Sequence, residues 1–363
     1  MTTLRDRYDS KANGLGLIRL VLALSVLVAH SWPLGVGRPN PGQSLTRGQV
    51  DLGTLAVDGF FVLSGFLVAA SARRTGPLRF AWHRFLRIFP GLWVCLAATA
   101  LAAAVTGHAG GFGFVRANVF GAIHQWGIGT LFLDTPYGRL VQTSVANGSL
   151  WSLVYELLCY CGLTVLIAAG LPRRAPWAVP VLAGVAYAVL VIDAVHDPAT
   201  PRYRGGLGPF PLWGYVDLQL AVYLGFLFLL GASAQLFAHR VPLHPLLAIF
   251  AALVMAASLG FGGFFVLGYP AFAYLLLYAA CTIPPRLHAV GRTHDYSYGI
   301  YIYAFPIQQT VAHFGGAAWG VLPFVALCVP AVLLAAAASW HLVERPALAL
   351  KHRTIPAHLT LAR

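Results

Sequence analysis

The feature that most limits what this chain can fold into is a series of apolar runs, each about as long as a bilayer is thick. Roughly 20 consecutive apolar residues carry a helix across the hydrocarbon core. Such runs recur near residues 15–32, 54–72, 87–106, 149–170, 176–195, 217–237, 246–262, 264–282, 296–315 and 320–342. Hydrophobic residues fill 58% of the 363 positions and charged residues only 10%, whereas a soluble protein carries roughly a quarter. The expected fold is therefore an all-α integral membrane bundle of about ten transmembrane helices. Residues 115–133 are apolar but interrupted by His124, Gln125 and several glycines, and are expected to re-enter or to lie at the interface.

Charge fixes the orientation. With the N-terminus cytoplasmic, the inner segments hold 17 of the 24 lysines and arginines and the outer segments six, Arg19 lying inside the first run. The positive-inside rule then places both termini in the cytoplasm. The expected organisation is a tail over 1–14, a transmembrane domain over 15–346 and a second tail over 347–363. The first run contains Arg19 and ends without a small-x-small cleavage site, so it reads as a retained helix and not a signal peptide. A net charge of +13 could suggest nucleic acid, but that needs basic residues on one exposed face. Here they are dispersed between apolar runs, and nucleic acid is rejected. Cys95, Cys159, Cys161, Cys281 and Cys328 all fall inside apolar runs without zinc-ligand spacing; they read as small buried hydrophobes.

Ionisable groups at membrane depth cost on the order of 3 kcal/mol each, so their presence requires a reason. The first run holds Arg19 and His30. Eleven residues bring the two side chains to one helix face, roughly 16 Å apart along the axis, with Arg19 near the cytoplasmic end. The alternative is that Arg19 snorkels and His30 merely ends the helix. Asp58, in the outer part of the second run, and Glu156, in the fourth, are expected to converge with His30 in the outer half. A neutral histidine oriented by a carboxylate is a general-base arrangement; a polar network holding helices together is the rival reading. On the inner side Arg73 and Arg74 end the second run, and Arg84 and Arg87 precede the third. They can bind phosphates or simply set orientation. Tyr296, Tyr298, Tyr301 and Tyr303 open the ninth run as an aromatic belt, while Gln308, Gln309 and His313 could line a cavity. Glu344, Arg345 and Pro346 are expected to anchor the end of the tenth.

Taken in order, Arg19-x10-His30, the FFVLSGF of residues 60–66, RFLRIFP, SLWSLVYEL, SYGIYIYAFPIQ and the late ERP resemble the membrane-bound acyltransferase-3 family. The similarity spans residues 15–346, and the ordered set is far more specific than any one motif. No esterase-like domain follows, so the stand-alone form of the family is expected. The resemblance implies transfer of an acyl group, usually acetyl from acetyl-CoA, to a hydroxyl of an extracytoplasmic glycan or lipid-linked sugar at the inner (plasma) membrane. It implies His30 as the essential histidine, Arg19 as its partner, Glu156 as the acid of the fourth run, and no metal. Where the family often places a histidine after its tyrosines, this sequence has Ala304, Phe305 and Pro306.

On this reading the CoA phosphates rest against Arg73, Arg74, Arg84 or Arg87, and the arm of the donor lies along the face from Arg19 to His30. His30 takes the acceptor proton, and Glu156 or Asp58 steadies the imidazolium. Outer segments 33–53 and 107–148, with Arg116, Trp126, Tyr137 and Arg139, suit a sugar or an anionic polymer. Two other classes fit the same charges: a proton-coupled transporter, against which no internal repeat is visible, and a glycan flippase or export partner without chemistry of its own.

Overall fold

The computed structural model describes residues 2–105, 147–196, 207–210 and 214–352. Among these residues ten long helices, numbered here in chain order, stand at the ten apolar runs: α1 Leu15–Val36, α2 Leu52–Ala72, α3 Pro77–Val105, α4 Trp151–Ala168, α5 Ala178–His196, α6 Leu218–Leu236, α7 Pro245–Phe261, α8 Tyr269–Thr282, α9 Ser297–His313 and α10 Val321–Ser339. Among the described residues, eight helical segments are apolar and long enough to cross a bilayer. A two-stranded ribbon, Leu207–Phe210 with Gly214–Val216, is the one sheet described. The chain is an all-α membrane bundle. The segment 115–133 lies outside the described residues.

Capping chemistry sets several helix starts. Asn13 Oδ1 accepts from the Leu15 amide at 3.0 Å, and Asp51 Oδ1 accepts from Gly53 and Thr54 at 2.7 and 3.0 Å. Asn147 accepts from Ser149 to open a single 3₁₀ turn, Gly148–Leu150, that leads into α4. Each satisfies an amide that the first helical turn leaves without a partner.

One boundary differs from expectation by ten residues: α3 begins at Pro77 and not near 87. The polar WHRFLR stretch hides it from a hydropathy reading, yet proline at the first position suits a helix start. Arg84 and Arg87 therefore sit on α3 itself, one turn apart, and not in a loop before it.

The tightest crossing joins α2 to α6. A Cβ added at Gly65 would stand 1.9 Å from the Phe228 carbonyl oxygen, and one at Gly231 would stand 2.0 Å from that of Val62. Only glycine permits this approach, which pins the rotation of α2. Helices α1 and α2 run antiparallel, Gly53 lying against Ala29 and Gly59 against Leu22. This register carries Ser64 to the level of Ile18, next to Arg19.

Contacts also show which segments share a face. Leu4, fully buried in the N-terminal turn Leu4–Arg7, donates its amide to Val241 O at 2.8 Å. Arg173 Nε donates to Arg73 O, and Arg292 to Lys11 O. The N-terminal segment and residues near 73, 173, 241 and 292 thus lie at one end of the bundle. At the other, Gln49 Nε2 donates to Ser258 O and Leu259 O, and Arg47 donates to Phe261 O. The N-terminal stretch expected as a tail is docked.

Candidate active site

A cavity of about 120 Å³ opens between α1, α2, α3, α4 and α9. Its lining includes Arg19, Ser64, Arg84, Arg87, Ser152, Glu156, Tyr160, Tyr298 and Tyr301, with Phe60, Phe61, Leu67 and Val68 as the apolar wall.

Two of its three guanidiniums are paired. Arg19 Nη1 lies 2.6 Å from Asp295 Oδ2, and Arg87 Nη2 lies 2.8 Å from the same oxygen. Arg87 Nη1 reaches Glu344 Oε2 at 3.5 Å, and Ser339 donates to the other oxygen of Glu344 at 2.9 Å. Burial would raise the Asp295 carboxyl, but the charges of Arg19 and Arg87, with hydrogen bonds from Ser297, outweigh it and hold it at about 2. Arg19 is thus an ion-paired residue and not a snorkelling one. Asp295 escaped the sequence reading because it precedes the ninth apolar run; its one signal was its place directly before the tyrosine-rich stretch.

Arg84 is different. Its guanidinium lies over the rings of Phe80 and Tyr160 at 5.7 Å each. Its Nε is buried without a hydrogen-bond partner, and no carboxylate pairs with it among the described residues. Beyond the bundle end, burial and then Arg84 and Arg87 lower the Lys351 ammonium to about 8. The charge at this mouth is positive and unneutralised, which suits a phosphate.

Glu156 belongs to this same cavity. Its Oε1 accepts from Ser64 Oγ at 3.1 Å and from Tyr160 Oη at 2.5 Å, and the two hydroxyls lie 2.8 Å apart. Higher on the wall, Tyr301 Oη donates to Ser149 O at 2.5 Å and sits 2.6 Å from Ser152 Oγ.

The expected meeting of His30, Asp58 and Glu156 at one depth does not occur. Through Ser64, Glu156 sits at the level of Arg19, not of His30. Asp58 is 1% exposed and faces α8, where Tyr269 Oη donates to its Oδ1 at 3.4 Å; it does not line the cavity. Depth counted from guessed span ends ignores where each helix starts relative to its neighbours, and contact registers decide it. Arg73 and Arg74 are exposed beyond the end of α2 and off the cavity wall; Arg74 Nε bonds back to Ala70 O.

His30 lies beyond the far end of the cavity, edge-on to Phe305 with ring centroids 5.2 Å apart. Its Nδ1 is buried and carries no hydrogen bond from a described residue. Phe305 is one of the residues standing where the family often has a histidine, and its ring packs against Gly148 at the head of α4. Asp51, the cap of α2, stands at the level of His30: a Cβ added at Gly53 would lie 3.1 Å from both Asp51 Oδ1 and the Ala29 side chain. One turn from His30's level, Gln308 Nε2 donates to Leu27 O and Ser31 Oγ at 2.8 and 2.7 Å, tying α9 to α1. Arg116, Trp126, Tyr137 and Arg139 lie outside the described residues.

Comparison with known proteins identifies the family. The model of the acyltransferase domain known as acyltransferase-3 matches residues 13–340. The chain is 31% identical over 352 residues to an O-acetyl transferase of Shigella phage Sf6, covering 92% of this chain and 96% of that one. It is 29% identical to Nodulation protein 10 of Rhizobium leguminosarum bv. viciae, covering 98% of this chain and 99% of the relative. No solved structure matches. With the family model matched from the start of α1 through α10, the chain belongs to the membrane-bound acyltransferase-3 family and is an O-acyltransferase.

Proposed function

We propose that this protein moves an acyl group, most simply acetyl, from cytoplasmic acyl-CoA to a hydroxyl of an extracytoplasmic glycan or lipid-linked sugar at the inner (plasma) membrane. The observation that carries the reading is the division of α1. Arg19 faces a basic cavity at one end, and His30 stands roughly 16 Å further along the helix with its Nδ1 unbonded. Both termini and the Arg84 mouth face the cytoplasm, where CoA is made. Arg84, with Arg19, Arg87 and Lys351 around it, receives the phosphates, and the extended arm carries the thioester to the depth of His30. Arg73 and Arg74, further out, attract the same anion on approach.

At the outer end His30 accepts the proton of the acceptor hydroxyl as that oxygen attacks the thioester carbonyl. The tetrahedral intermediate then expels the CoA thiolate, which takes the proton back from the imidazolium. Asp51 bears on the charge that His30 gains in this step. The acyl group crosses the bilayer while the sugar stays outside.

The name of one relative, an O-acetyl transferase, supports acetyl as the group transferred to oxygen. The test is His30→Ala in cells whose surface glycans are read by mass spectrometry for acetylation. Loss of at least a hundredfold in transfer is expected for removal of a general base. A folded His30→Ala protein that acetylates normally would remove His30 from the chemistry.

A further inference from the structure

We propose that Glu156, with Ser64 and Tyr160, forms the subsite that grips the amide-bearing arm of the acyl-CoA donor, and takes no part in proton transfer. This rests on the donor reading above and assigns Glu156 a role other than the acid of the acceptor step.

The argument comes from α4. Successive turns of this helix present Tyr160 beneath Arg84, Glu156 bonded to Ser64 and Ser152 bonded to Tyr301, and the 3₁₀ turn before it places Gly148 against Phe305, whose ring touches His30. Each step is about 6 Å along the axis, so Glu156 stands about 12 Å short of the turn beside His30. A proton is passed over about 3 Å, or through one water. Glu156 is out of that range, and the carboxylate at the level of His30 is Asp51, beside Ala29.

The chemistry of the donor fits what lies between. From pyrophosphate to thiol, the arm of CoA carries a hydroxyl and two secondary amides over roughly 15 Å by extended-chain dimensions. That length covers most of the roughly 18 Å between the turns of Tyr160 and Gly148, and the arm must pass Glu156. Both hydroxyl neighbours donate to Oε1, and no described residue bonds Oε2. The second oxygen is left as an acceptor at the cavity wall, suited to an amide N–H or the arm hydroxyl. Gly65, locked against Phe228 on α6, fixes the turn of α2 that presents Ser64, so the acceptor is held before the donor arrives.

The test separates arm from phosphates. Purified protein in detergent is titrated with acetyl-CoA and with 3′-phosphoadenosine 5′-diphosphate, which has the phosphates and no arm. Glu156→Gln is expected to weaken acetyl-CoA binding about tenfold, the worth of one charge-assisted hydrogen bond, and to leave the nucleotide unchanged. Arg84→Gln is expected to weaken both. In transfer assays Glu156→Gln raises KM for acetyl-CoA more than it lowers kcat. Should Glu156→Gln fail to fold, Ser64→Ala, which removes one of the two hydroxyls that hold Oε1, carries the same prediction at about threefold. Equal losses for both ligands, no loss for either, or a fall confined to kcat would each overturn the arm subsite. Wild-type protein that binds neither ligand would overturn the acyl-CoA reading itself, a different failure from the others.

Discussion

The two ends of α1 carry costly polar side chains and treat them in opposite ways. At the inner end Arg19 is neutralised by Asp295, which also holds Arg87, which in turn meets Glu344. Side chains from α1 and α3, the turn before α9 and the turn after α10 close into one ionic network. At the outer end His30 has an aromatic edge, an unbonded nitrogen and the helix cap Asp51 at its level. A largely buried ion network of this kind, with three members partly exposed, is a structural commitment, because removing one member strands the others. A histidine left without a bond is poised for a partner that arrives from outside. The contrast assigns rigidity to one end and reactivity to the other.

The largest way to break the contrast is Asp295→Ala. It would leave Arg19 and Arg87 facing each other without a counter-charge, a loss of about 3 kcal/mol, read as a lower unfolding midpoint in detergent. The pH dependence has a definite sign. Its carboxyl is held at about 2 against the usual 3.8, so its stabilisation is full above about pH 4 and lost as pH falls through about 2. The shift corresponds to about 2 kcal/mol, and Asp295→Asn should flatten that acid limb. An unchanged midpoint in both variants would mean that the inner network is not structural.

Much of the fold was legible because hydropathy reports on single segments. All ten runs became helices, and the positive residues expected inside, such as Arg73, Arg173 and Arg292, do share one end of the bundle. Relative depth was not legible, because it depends on pairs of helices. Glu156 and His30 looked level when counted from span ends, yet the Gly53–Ala29 and Gly59–Leu22 contacts, followed to Ser64, place Glu156 beside Arg19. Asp295 and Asp51 were missed for a related reason. Each sits one to three residues outside an apolar run, where a charge looks cheap, and only packing reveals that it serves a group inside.

Asp51→Asn sharpens the outer half of the comparison. Asparagine caps a helix about as well as aspartate, so the bonds to Gly53 and Thr54 should persist and stability should move by less than about 0.5 kcal/mol. The charge near His30 would be gone. A fall of roughly tenfold in kcat, with KM for acetyl-CoA unmoved, is the expected signature of a lost electrostatic partner. Wild-type kinetics in this variant would leave His30 acting alone.

A smaller effect is expected at Lys351. Burial, Arg84 and Arg87 bring its ammonium to about 8 from 10.5, so it discharges as pH rises through 8. If it helps to hold donor phosphates, acetyl-CoA binding weakens about threefold between pH 7 and 9, the worth of one partly screened charge. Lys351→Met should bind more weakly at pH 7 and lose most of that slope. The neighbouring His83 and Arg79 stay in place in both proteins and serve as the internal control. Stability moves the other way, rising between about pH 8 and 10.5, because the unfolded chain binds the extra proton there. A slope of equal size in Lys351→Met would assign it to another group.

The smallest effect belongs to Asp58, and it bears on the comparison by its quietness. This carboxyl is 1% exposed, bonded to Tyr269 through one oxygen, and its second oxygen has no partner. No cation pairs with it among the described residues, and an unpaired charge at that depth would cost several kcal/mol. The amide of asparagine is close to it in size and can still accept from Tyr269. Asp58→Asn should therefore change transfer by less than about twofold and stability by less than about 1 kcal/mol. A hundredfold loss of kcat with the fold intact would return Asp58 to the reacting group. It would also mean that the reactive end of α1 extends a further two turns inward, past the level at which the helix contacts now separate chemistry from support.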